Sequence, residues 1–157
     1  MENFGLTTYR TTRLIIDPEQ SSIAAKQATA RTICHEISHQ WFGNLLTMAW
    51  WSQLWLNEGF ARFLEFHAVD SIYPEWKIWE TFVSSVLSVA FNLDALRSSH
   101  PVEIEVADPG DINEIFDSIS YAKGGSINRM LNSFIGDETV RKGLTIYLNK
   151  FKYKNAV

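Results

Sequence analysis

The 157-residue chain is about one domain long, and its 46% apolar residues suffice for a real core. Fourteen Lys and Arg against 18 Asp and Glu give a net charge of −4 with no basic stripe, which argues against nucleic acid as a partner. The lone Cys34 excludes an internal disulfide, and no apolar run reaches the roughly 18 residues that a membrane span needs, so this segment is expected to make no membrane contact. The absence of an Asn-x-Ser/Thr sequon and of a leader pattern adds to an expectation of a reducing, cytoplasmic setting, any anchor of a parent protein lying elsewhere.

Residues 1–16 read as extended. Leu6 to Arg10 and Leu14 to Ile16 are rich in Thr, Tyr and Ile, and Asp17-Pro18 ends the pattern. Ser21 or Ser22 is a natural N-cap for a helix running to about Leu46. Thr47 to Gln53 reads as a turn, and a second helix is expected from about Leu54 to Ser71. Pro74 opens a third to about Asn92, and a loop with two prolines covers His100 to Gly110. A helix from about Ile112 to Ile135, irregular at Gly124-Gly125, is closed by Gly136-Asp137, and a last one runs to about Lys152. The expected fold is mainly α with a short N-terminal β remnant. That remnant is too small to form a sheet alone, so the chain reads as a piece of something larger.

His35-Glu36-Ile37-Ser38-His39 is a two-histidine zinc motif on a helix. Residues four apart share a face, so both imidazoles can reach one Zn2+ ion. Glu36 sits about 100° around the helix, towards the side where water would meet the ion. Zinc acidifies such water towards a pKa of about 7, and a nearby carboxylate can take its proton as the water attacks a carbonyl. Glu58, on the next helix, can complete a His₂Glu ligand set if the two helices run antiparallel. Glu65 lies seven residues further on, in nearly the same direction. It either hydrogen-bonds a ligand imidazole or lies on a solvated face. Cys34 points away from His35 and reads as a buried thiol, while His67 and His100 read as structural. Trp41, Trp50, Trp51 and Trp55 read as core.

The run from His35 through His39, Gln40, Trp41, Phe42, Gly43 and Asn44, then Trp50-Trp51, then Leu54-Trp55-Leu56-Asn57-Glu58-Gly59-Phe60-Ala61, resembles the gluzincin zinc aminopeptidases. This is the family of the aminopeptidase N and puromycin-sensitive aminopeptidase type. Met1-Glu2-Asn3 resembles the end of its exopeptidase motif, and Phe116 to Gly124 resembles its tyrosine-bearing segment. The resemblance covers essentially the whole chain. It implies 1–157 to be a partial, thermolysin-like α+β catalytic domain: 1–16 a strand remnant with the exopeptidase motif, 22–72 the zinc-binding helix pair, and 74–157 a helical part with the tyrosine. It further implies that Glu2 binds the free α-amine of a peptide, that Met1 lines the first side-chain pocket unless it is merely an artificial start, and that Tyr121 hydrogen-bonds the oxyanion. The expected substrates are peptides with a free N-terminus, and the expected partners are the family's N-terminal β-domain and C-terminal helical domain, neither present here.

Departures from the pattern are Ala49, where an acidic or polar residue is usual, and Gly125, where Ala is common; both read as drift. The start of the exopeptidase motif and an upstream amine-binding acid are also lacking. Alternative readings are a non-catalytic peptide- or partner-binding relative, an inactive fragment, an endopeptidase, and a lipid-epoxide hydrolase. The full ligand set with Glu36 and Tyr121 argues against the first, and Met1-Glu2-Asn3 against an endopeptidase; nothing in the chain favours the hydrolase.

Overall fold

The computed structural model describes residues 1–157 as a mainly helical assembly wrapped around one central helix. Helix α1 spans Ile23–Ser38, and its Ser22 cap accepts a hydrogen bond from the Ala25 amide at 3.2 Å. Its end comes about two turns before the expected Leu46. Gly43 takes a φ of +125°, outside the helical range, and the Phe42 carbonyl turns back to the His39 ring at 2.9 Å. A continuing helix would have needed that carbonyl for its own ladder.

Strand β1 (Leu46–Met48) follows and pairs in parallel with β2 (Lys154–Ala156), Leu46 facing Lys154. The short β component therefore joins the middle of the chain to its far end. Residues 1–16 contain no strand, contrary to the expected remnant there. Met1 and Thr8 exchange backbone hydrogen bonds of 3.0 and 2.9 Å around a turn, and Thr11–Arg13 forms a single 3₁₀ turn. These extended residues have no neighbouring strand against which to build a ladder.

Helix α2 (Leu54–Ile72) is the centre of the molecule. It buries Ala61, Phe66 and Val69 completely, along with the two acidic side chains Glu58 and Glu65. Beyond a Pro74–Trp76 turn, α3 (Ile78–Thr81), a π-helical stretch (Phe82–Leu87) and α4 (Ser88–Asp94) form one interrupted helix. Phe66, Val69, Ile78, Phe82, Val86, Ala90 and Ala122 make the main apolar cluster between these elements. Burying each of its larger side chains contributes about 1.5–3 kcal/mol. A smaller cluster of Leu54, Val106 and Ile115 packs with Trp51 and Ile112 under the long loop.

A second π-helical stretch, Ile119–Lys123, leads into α5 (Gly124–Ile135), so the expected irregularity falls just before the glycine pair. Gly136, at φ +87°, ends α5, and α6 (Asp137–Phe151) follows. Two tryptophans expected in the core are not there: Trp41 and Trp50 are 47% and 50% exposed. Trp41 lies just past the end of α1, and Trp50 hangs its indole N–H on the Val106 carbonyl at 2.8 Å. No helix is long and apolar enough to cross a membrane.

Candidate metal centre

His35 and His39 stand one turn apart at the C-terminal end of α1, and α2 carries Glu58 back to the same level. The Nε2 atoms of the two imidazoles are 3.1 Å apart, and Glu58 Oε2 lies 3.2 Å from His35 Nε2 and 3.3 Å from His39 Nε2. Each ring's other nitrogen is engaged. His35 Nδ1 donates to Glu65 Oε2 at 2.9 Å, and His39 Nδ1 donates to the Phe42 carbonyl at 2.9 Å. Those partners only accept, so in its neutral form each imidazole turns the lone pair of its Nε2 towards the Glu58 carboxylate. Glu58 Oε2 is correspondingly buried without a hydrogen-bond donor.

Three converging acceptors are unfavourable unless a cation sits among them. Two ligand atoms at about 2.0–2.1 Å from a tetrahedral zinc lie roughly 3.3 Å apart, which matches the observed separations. The donor set therefore fits a divalent cation of the zinc type. The electrostatics point the same way: burial opposes charge on His35, yet the Glu58 and Glu65 carboxylates, accepting hydrogen bonds from its ring, raise its pKa to about 9, so the three groups together call for a positive charge. Burial also opposes ionisation of Glu58, but His35 and His39 bring its pKa down to about 2. In both cases the pocket favours positive charge beside Glu58.

Of the two readings open for Glu65, the structure supports the hydrogen bond to a ligand imidazole and not the solvated face. Its carboxylate is almost wholly buried; Oε1 accepts from Arg62 Nη1 at 2.7 Å and from Arg31 Nε at 3.0 Å, leaving Oε2 to His35. Burial would push Glu65 up, but Arg62, His35 and Arg31 hold it below the usual carboxylate range.

Glu36 reaches the N-terminal segment. The Met1 nitrogen lies 3.0 Å from Glu36 Oε2 and 3.9 Å from Glu2 Oε2, so the two carboxylates flank one point beside α1. The segment is pinned there by residues just after the second histidine. Asn44 Nδ2 donates to the Glu2 carbonyl at 2.6 Å, and Gln40 accepts from the Gly5 amide at 2.8 Å. The Met1 side chain itself is exposed.

Tyr121 stacks beside the metal residues, its ring 6.1 Å from that of His35 at an interplanar angle of 17°. Burial, and then the nearby Glu58 charge, push its phenol well above the usual tyrosine range. Two features that the sequence reading missed put it there. Asp117 Oδ1 caps the amides of Ile119 and Ser120 at 2.9 and 3.0 Å, while its other oxygen takes His100 Nε2 at 2.7 Å. Gly59, next to Glu58, meets Gly124 so closely that a Cβ on Gly59 would lie 2.9 Å from the Gly124 carbonyl carbon. Only glycine at this crossing lets the tyrosine segment approach Glu58.

Cys34 is half-buried, its thiol pushed up by burial, and is not among the converging donors. His67 lies away from the centre with Asp137 at 3.5 Å. Beside Tyr121 a cavity of about 490 Å³ is lined by Arg31, Arg62, Phe116 and Asp117 among others.

All 157 residues match the peptidase family M1 domain. The chain is 54% identical over 99% of its length to the alanine/arginine aminopeptidase of Saccharomyces cerevisiae, of which it covers 18%. It is 53% identical over 99% of its length to aminopeptidase M1-D of Oryza sativa subsp. japonica, again covering 18%. With the puromycin-sensitive aminopeptidase of Caenorhabditis elegans the identity is 49% over the whole chain, covering 17% of that protein. The chain thus spans less than a fifth of the curated relatives it matches. By its sequence throughout, with the His-Glu donor set on its two central helices, the chain belongs to peptidase family M1.

Proposed function

We infer that the protein carrying this chain is a zinc-dependent aminopeptidase that hydrolyses the first peptide bond of peptides with a free N-terminus. The observation that carries this reading is the convergence of His35 Nε2, His39 Nε2 and Glu58 Oε2 within 3.1–3.3 Å of one another, with no hydrogen-bond donor to Glu58 Oε2. Zinc, when bound by these three residues, supplies a Lewis acid that polarises water and the scissile carbonyl.

The remaining work falls to the chain's own groups. Glu36 is the general base: it removes a proton from the attacking water and returns it to the leaving amine. The Tyr121 hydroxyl donates to the oxyanion that develops on the carbonyl. Its raised pKa keeps that proton in place at neutral pH. Glu2 anchors the substrate's α-ammonium, and its closeness to Glu36 supports the role, since the amine and the first peptide bond are separated by a single Cα. Met1 borders this end of the site. Glu65 holds the His35 tautomer with Nε2 free for the metal.

The chain supplies part of a thermolysin-like catalytic domain, and the rest of the substrate cavity belongs to flanking domains of the parent. Exposed apolar side chains such as Phe134 at 88% and Ile146 at 69% support such neighbours. The lone cysteine, which allows no internal disulfide, favours a reducing, cytoplasmic setting.

The test uses the full protein and paired peptides, N-terminus free or acetylated, with and without a zinc chelator. Cleavage of the free form alone, lost on chelation and restored by zinc, is the expected result. Equal cleavage of both forms would make the protein an endopeptidase and Glu2 structural. Zinc binding without any cleavage would make it a non-catalytic relative.

A further inference from the structure

Glu65 is a fully buried carboxylate, and a buried carboxylate is tolerated only when its oxygens are satisfied. Both arginines converge on Oε1, which leaves Oε2 aimed at His35 Nδ1. The orientation of the imidazole therefore depends on where Arg62 lies. That side chain has little freedom: its guanidinium carbon is 5.7 Å from the centre of the Tyr121 ring, and its stem runs across α5 at Gly125. A Cβ at position 125 would stand 2.6 Å from Arg62 Cγ and 3.0 Å from Arg62 Cβ. These atoms are the rooted part of the side chain, so swinging the far end does not relieve the clash: α5 or the Arg62 stem has to shift, and a shift of the stem carries the guanidinium away from Glu65.

We propose that Gly125 is a positioning residue of the metal centre: by lacking a side chain it makes room for the Arg62 stem, and through Arg62 and Glu65 it sets the His35 imidazole for metal binding. The small residue at 125 and the large one at 62 are a matched pair, so the departure at Gly125 has a structural purpose and is not drift. The proposal rests on His35, His39 and Glu58 being a metal centre.

The test measures zinc affinity by chelator competition in the full protein, together with the visible spectrum of the cobalt-substituted form. Wild type should bind one equivalent. G125A should bind zinc about tenfold or more weakly, with a shifted cobalt spectrum, as expected when the group orienting a ligand histidine is disturbed. R62A should show a similar loss, and R62K, which keeps a cation near Glu65, should recover part of it. The double variant G125A/R62A should be no weaker than R62A, because the Cγ at 2.6 Å is gone and only the milder 3.0 Å contact with the Cβ of residue 62 remains. If G125A alone folds poorly, recovery in the double variant to the R62A level still supports the clash, and no recovery overturns it. Wild-type affinity and spectrum in G125A, or losses that simply add in the double variant, would overturn the proposal. Absence of zinc binding by wild type would instead overturn the metal centre itself, and this proposal with it.

Discussion

The two halves of the candidate site are built on different principles. In the α1–α2 pair, helical periodicity does the positioning: His35 and His39 share a face because they are four apart, and Glu58 and Glu65 share one because they are seven apart. Around Tyr121 periodicity does little. The tyrosine sits in a π-helical stretch placed by the Asp117–His100 pair and by the glycine crossing at 59 and 124. The half around His35, His39 and Glu58 therefore shows in the spacing once the two helices pair, whereas the tyrosine half depends on contacts that no periodicity marks.

Variants can break or sharpen this contrast. Glu36→Gln in the full protein should lower kcat by about 10²–10⁴ while leaving bound zinc unchanged; an unaltered rate would remove Glu36 from the chemistry. Phe66→Ala opens a hole in the main cluster that backs α2 and should cost about 3–5 kcal/mol in a denaturant titration. A cost below about 1 kcal/mol would mean that α2 is not held by that cluster. Tyr121→Phe should reduce kcat by about 10²–10³ with KM and zinc content little changed, the pattern of a lost oxyanion donor. If KM alone moved, the tyrosine half would be a binding wall instead. Ser22→Ala removes only the α1 cap and should cost about 1 kcal/mol, with zinc affinity preserved because the histidines lie at the opposite end of the helix.

What was legible follows the same division. The cap at Ser22, the span of α2, the stop at Gly136 and the shared face of His35 and His39 are local or periodic features, and each was expected from sequence. The early end of α1 was not, because the apolar pattern continues through Phe42 and only the left-handed Gly43 and the turned Phe42 carbonyl stop the helix. The N-terminal residues have strand-like composition, but a strand requires a partner, and β1 finds its own at Lys154–Ala156. Arg31 and Arg62 carried a signal that was passed over: one lies four residues before His35 and the other three before Glu65, on the faces that meet. The closeness of Gly125 to Arg62 had no signal in either residue by itself.

The most direct test of the central claim is zinc-edge X-ray absorption on the full protein, paired with metal content. The account predicts one zinc per chain, bound through two imidazoles and oxygen ligands, with the imidazole count falling in His35→Ala. A sulfur ligand at about 2.3 Å, or no tightly held zinc, would contradict it.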